Sequence, residues 1–148
     1  MLAMGRISHL NLPVRDFDES LDFYVRRLGL GYVRHLRPGK VILDWAGFAF
    51  FIEAAPDMAA HPRFHFGIET TTDGVRDWEA RLASAGIPQV VGPQPTGLPE
   101  TYVTPDGLRT VLYFADPTGH IIEVYSHIGV DTGHVDPHWA ALSGGGGV

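Results

Sequence analysis

Residues 7–14 alternate, with Leu10, Leu12 and Val14 on one face and His9 and Asn11 on the other, which is the period of a half-buried strand. Asp16 then stands as a helix N-cap, with Glu19 three positions on in the manner of a capping box. Phe17, Leu21, Val25 and Leu28 follow at helical spacing, and Gly29 is placed to stop the helix. Strands are expected over residues 32–37, 41–45 and 48–54, separated by Pro38-Gly39 and by Gly47. In the last of them Phe50 and Ile52 share one face and Glu53 takes the other.

Residues 55–62 hold two prolines and little periodicity, so they read as a linker. Beyond it the pattern starts again. Phe64, Phe66 and Ile68 line one strand face while His65 and Gly67 line the other. Asp73 is placed to cap a helix whose apolar stripe is Val75, Trp78, Leu82 and Ala85, with Gly86 ending it. A strand near residues 89–91, a loop rich in Pro and Gly, and a closing hairpin follow. That hairpin pairs residues 111–115 with 120–125 around Asp116-Pro117-Thr118-Gly119, and Glu123 sits inside its second strand. An unpaired charge taken out of water is costly, so Glu123 is expected to face a polar cavity or a metal.

The two halves share one grammar: a strand with a His, a capped helix, a Gly, three strands, and a Glu in the last strand. Such an internal repeat predicts an α+β fold of two βαβββ modules forming a curved mixed sheet around a concave cavity for metal or ligand. Module one covers residues 6–54, the linker 55–62, module two 63–128 and a flexible tail 129–148, all within a single domain. Only a short segment at His138-Trp139-Ala140 is expected to dock in the tail. If each helix packs on the apolar strand faces, His9, Glu53, His65 and Glu123 turn the other way and meet in the cavity. Two imidazoles and two carboxylates there suit a divalent metal.

Composition narrows the classes. The chain has 148 residues, 45% hydrophobic and 19% charged, the profile of an ordinary globular domain for which a dimer is also reasonable. A net charge of −6 without a basic run argues against nucleic acid as a partner. With no cysteine, any metal must be held by His and carboxylates. The first residues lack the regions of a signal peptide and no apolar run reaches membrane-spanning length, so a cytoplasmic protein without membrane contact is the expectation.

Four stretches together carry a family likeness: Ser8-His9-Leu10-Asn11-Leu12-Pro13-Val14; Ser20-Leu21-Asp22-Phe23-Tyr24 with Leu28-Gly29-Leu30; His65-Phe66-Gly67-Ile68; and Asp116-Pro117-Thr118-Gly119-His120-Ile121-Ile122-Glu123. Over residues from about 6 to 127 the chain resembles the vicinal oxygen chelate superfamily, which holds glyoxalase I, fosfomycin-resistance enzymes, extradiol dioxygenases, methylmalonyl-CoA epimerase and bleomycin-binding proteins. The resemblance implies metal ligands at His9, His65 and Glu123, and a glyoxalase-type carboxylate at Glu53. It also implies a homodimer, with the modules that share a metal coming from one chain or from two. Zinc, nickel, manganese and iron(II) all suit such a set.

Each candidate has a plainer alternative. His9 or His65 alone reads as a hydrogen-bonded structural histidine, and Glu53, beside Ala54 and Ala55, as a solvated carboxylate. Tyr113 is the candidate beside the ligands, by resemblance to the tyrosine that assists extradiol dioxygenases; a structural aromatic is its alternative. His35 stands among Arg34, Arg37 and Lys40, a positive cluster suited either to an anionic substrate or simply to solvent. His61, His127, His134 and His138 read as surface residues, and Trp45, Trp78 and residues 48–51 as core.

The leading expectation is a metal-dependent lyase or isomerase of the glyoxalase type, acting on a small substrate that offers neighbouring oxygens, with Glu53 as base. Two others stand beside it. One is an iron(II) dioxygenase using His9, His65 and Glu123 with Tyr113 behind them. The other is a binding protein that sequesters an aromatic or cationic molecule without catalysis; a retained ligand set speaks against it.

Overall fold

Asp16 marks the first change of direction in the chain. Its side chain accepts the Glu19 amide hydrogen at 2.9 Å, so the strand β1 (His9–Val14) turns at once into the helix α1 (Phe17–Leu21). The helix continues as a π-helical stretch, Asp22–Arg27, in which the Leu28 amide bonds the Phe23 carbonyl five residues back. Two consecutive aromatics, Phe23 and Tyr24, are buried there. Gly29, with φ of 88°, ends the helix.

The computed structural model describes residues 4–127 and 134–143. After α1 come β2 (Gly31–Arg37), β3 (Lys40–Trp45) and β4 (Phe48–Ala54). β4 is the partner of β1, in parallel, and the sheet order is β1-β4-β3-β2. The second half runs β5 (His65–Glu69), α2 (Thr72–Ser84), β6 (Tyr102–Val103), β7 (Thr110–Ala115) and β8 (Ile121–Tyr125), in the order β5-β8-β7-β6. The expected two-module α+β fold is thus present as two four-stranded mixed sheets of the same topology.

Some elements differ from their expectation. Thr71, not Asp73, caps α2, because its hydroxyl accepts the Gly74 amide hydrogen at 3.0 Å while Asp73 sits in the first turn. Residues 89–91 make only an isolated bridge, Gln89 to Phe114, and a single backbone bond from Val90 to Tyr113. The third strand of that module is the two-residue β6, beyond the Pro- and Gly-rich loop. Of residues 48–51 only Phe50 is fully core: Phe48 is exposed and Phe51 half-buried, as alternation requires. Of the tail, residues 128–133 and 144–148 lie outside the described residues. Its segment at His138-Trp139-Ala140 belongs to a helix, α3 (Pro137–Leu142), but it is not docked, since Trp139 is 68% exposed.

What positions the site is how the halves meet. Leu12, Val41, Leu43, Phe50 and Ile52 of the first sheet and Leu112, Phe114, Ile122 and Val124 of the second lie in one core cluster. Rings touch across it: Phe50 and Phe66 centroids are 5.6 Å apart, Trp45 and Trp78 6.3 Å, and Phe23 and Phe114 6.4 Å. Polar bonds fix the register of the two halves. The Tyr24 hydroxyl donates to Asp116 at 2.9 Å, the Arg15 amide to the Thr118 hydroxyl at 3.0 Å, and the His120 Nε2–H to the Pro13 carbonyl at 2.7 Å. The apolar faces of both sheets are therefore turned towards one shared core. Their opposite faces, by alternation, point away from it.

Candidate metal and ligand site

On the first sheet the register places His9 opposite Ala49, Asn11 opposite Phe51, and Glu53 opposite both Pro13 and Lys40. Paired residues share a face, so His9, Asn11, Lys40, Phe51 and Glu53 lie on the outward side. The His9 ring stacks on Phe51 with centroids 4.9 Å apart, and its Nδ1 is 3.2 Å from the Ser8 hydroxyl, while Nε2 makes no hydrogen bond among the described residues. Both oxygens of Glu53 are engaged. Oε2 accepts from Asn11 at 3.0 Å and lies 3.6 Å from the Lys40 ammonium, and Oε1 accepts from the Arg37 guanidinium. The Asn11 hydrogen bond, assisted by the charges of Lys40 and Arg37, holds the Glu53 carboxyl below its ordinary value.

The second sheet gives a different arrangement of the same residue types. His65 pairs with Ile121, Gly67 with Glu123, and Glu123 with Tyr113. Glu123 is buried, while the His65 Nε2 stands 3.6 Å from its Oε2. Oε1 is held from the far side by the Arg109 guanidinium at 2.5 Å and the Tyr113 hydroxyl at 3.2 Å. Burial, reinforced by the adjacent Glu123 charge, pushes the Tyr113 hydroxyl well above the ordinary tyrosine value, so it remains a donor at neutral pH. The Arg109 guanidinium also lies over the Tyr125 ring, 5.7 Å from its centroid. Its Nε is buried and has no hydrogen-bond partner among the described residues.

The expected convergence of all four side chains is not found within one chain. Among the described residues no three His, Asp or Glu side chains are grouped to hold a metal ion. The reason is the shared core: with both helix-bearing faces turned inward, the pair His9 and Glu53 and the pair His65 and Glu123 occupy outward faces of different sheets. As a half-site, the second pair fits a metal. Two ligands at bond lengths of about 2.0–2.2 Å on one ion lie about 3.0–3.5 Å apart, close to the separation of His65 Nε2 and Glu123 Oε2, and the second carboxylate oxygen is oriented by its own partners. Glu53 has no oxygen free in the same way.

Arg109 was legible by alternation with Val111 and Tyr113, yet it draws no attention in the sequence because it follows a turn, Thr104-Pro105-Asp106-Gly107. His120, buried against Pro13 and Phe64, is a structural histidine that only tertiary packing reveals. His61 and His127 are exposed, as expected. A cavity of ≈ 450 Å³ opens between β1 and β5, lined by Leu10, Trp45, Phe48, Phe50, Phe66 and Ile68, and among the candidate donors only His9 reaches its rim. No helix among the described residues is long and apolar enough to cross a membrane.

Comparison with known proteins agrees with this architecture. The sequence pattern of the Glyoxalase/Bleomycin resistance protein/Dioxygenase superfamily matches residues 6–124. Similar solved structures include a lactoylglutathione lyase from Agrobacterium tumefaciens, with a TM-score of 0.64 and 20% identity over 83% of this chain and 94% of that one. A glyoxalase/bleomycin resistance protein/dioxygenase from Nocardioides has a TM-score of 0.67 and 19% identity, covering 92% and 93%. The oxidase ChaP-H2 has a TM-score of 0.68 and 20% identity, covering 88% and 100%. At such identities the likeness is one of fold. No curated protein matches the sequence.

Proposed function

The chain belongs to the glyoxalase/bleomycin resistance protein/dioxygenase superfamily, and on that premise we propose that it is a metal-dependent lyase or isomerase whose site is completed by a second copy of the chain. The observation that carries this reading is the pair His65 and Glu123, spaced for one ion and backed by Arg109 and Tyr113. Its complement, His9 and Glu53, lies on the outward face of the other sheet. A partner that sets its first sheet over the second sheet of this chain brings two imidazoles and two carboxylates together, twice per dimer.

In that site a divalent zinc, nickel, manganese or iron ion supplies Lewis acidity to two neighbouring oxygens of a small substrate. The protein does the rest. His65 and Glu123 would hold the ion, and Tyr113 and Arg109 would fix which oxygen of Glu123 is offered. Glu53 is the base: it is an ionised carboxylate on a half-buried face and moves a proton once its cationic partners release it.

Elemental mass spectrometry on untagged protein purified without chelator tests the reading. About one transition metal per chain, lost in Glu123→Ala, is the expected result; no metal, and none taken up on reconstitution, leaves the non-catalytic binding protein. One observation favours a second reading, an iron(II) dioxygenase: the Tyr113 hydroxyl bonded to Glu123. Oxygen uptake with catechols by the iron-loaded protein distinguishes it.

A further inference from the structure

Glu53 is gripped from three sides by donors that all belong to the outward face of the first sheet. Asn11 donates to one oxygen, Arg37 to the other, and the Lys40 ammonium stands 3.6 Å off. Lys40 is also positioned by the Phe51 ring, 5.9 Å from its centroid, which is the ring that stacks on His9. The register continues this basic edge outward: Arg34 pairs with Ile42 and Arg37 with Lys40, so Arg34 extends the same face and makes no ion pair among the described residues. Two cations at one carboxylate, with Arg34 further along the same face, leave the patch positive in a chain whose net charge is −6.

A cradle that already holds one carboxylate is built for carboxylates. We propose that Arg37 and Lys40 form the recognition site for an anionic group on the substrate, a carboxylate or phosphonate next to its chelating oxygens, and that Glu53 is the internal stand-in that this group displaces. The proposal deepens the metal-dependent reading above and rests on it, because the anion is placed relative to the oxygens that the metal takes. It also resolves a conflict in that reading. Glu53 cannot serve as a base while both its oxygens are bonded to donors, and arrival of a competing anion is what frees it. The substrate's own charge then selects for turnover, since a neutral analogue leaves Glu53 engaged.

The test uses the nickel-loaded protein and two probes that share a metal-chelating head of neighbouring oxygens: acetohydroxamate, which carries no further charge, and succinic monohydroxamate, which adds a carboxylate. Binding is measured by titration calorimetry. The wild type is expected to bind the carboxylate-bearing probe at least about tenfold more tightly, as charge-assisted bonds to a guanidinium and an ammonium imply. Arg37→Gln and Lys40→Gln should each remove most of that preference, read as the ratio of the two affinities within each variant, and the nickel content and far-ultraviolet circular dichroism of each variant show that it is loaded and folded. Equal affinity of the wild type for the two probes, or a preference that survives both substitutions, overturns the proposal while leaving the metal site standing. Failure of the wild type to bind nickel or either probe removes the metal-dependent reading itself, and the proposal with it.

Discussion

His65 Nε2 lies 3.6 Å from Glu123 Oε2, too far for a hydrogen bond and at the spacing of two ligands on one ion, while the other oxygen of Glu123 is bonded to Arg109 and Tyr113. The division of labour between the two carboxylate oxygens makes Arg109 and Tyr113 the residues that decide whether the carboxylate is presented correctly.

Arg109→Gln should therefore lower metal affinity by about 10–100-fold, the usual consequence of removing a partner behind a ligand. Competition titration with a chromogenic chelator reads it. Unchanged affinity means that Arg109 serves the fold alone.

Tyrosine ionisation gives a second expectation. Burial, and then the neighbouring carboxylates, raise Tyr24 and Tyr113 above the ordinary value of 10.0. The folded state thus prefers the neutral hydroxyl, so its stabilisation is complete below pH about 10 and is lost as the pH rises above that value. In an absorbance titration these two should ionise only as the protein unfolds, and Tyr24→Phe should make the alkaline loss of stability shallower. If all five tyrosines ionise together near pH 10 without unfolding, the burial argument fails.

Gly92 is held by close approach. A Cβ there would stand 2.3 Å from the Tyr113 ring, whose edge the loop after residue 91 covers. Gly92→Ala is expected to destabilise the protein by about 1–3 kcal/mol through overpacking, read by urea denaturation, and to weaken metal uptake by shifting Tyr113. A neutral effect on both would show that the loop moves away freely.

Much of this was written in the residue pattern, for reasons that differ by element. The strands β1, β3 and β4 alternate because each has one face on the core, which places His9 and Glu53, whereas β7 is buried on both faces and β8 buries Glu123 between Ile122 and Val124. Helix α1 begins at Asp16, as its capping pattern implies. Thr71 escapes notice because Thr and Asp are both good caps and lie two residues apart, and only the backbone shows which oxygen meets Gly74. β6 is two residues long, too short to carry a period. What alternation cannot give is which way one sheet faces relative to the other. That depends on Phe50 meeting Phe66 and Tyr24 meeting Asp116, contacts between residues far apart in sequence. Four residues placed correctly on their own faces thus remain two pairs in one chain.

The division of the site between chains is the central claim, and subunit complementation tests it most directly. His9→Ala and His65→Ala are purified separately, unfolded and refolded together, and their metal content is measured by elemental mass spectrometry against each variant refolded alone. In a mixed dimer with shared sites, one site carries both substitutions and the other carries neither. Each variant alone is expected to bind little metal, and the mixture to regain one intact site per mixed dimer. If the mixture holds no more metal than its components, while the wild type refolded in parallel is fully loaded, the pairs do not meet across two chains and the account is wrong.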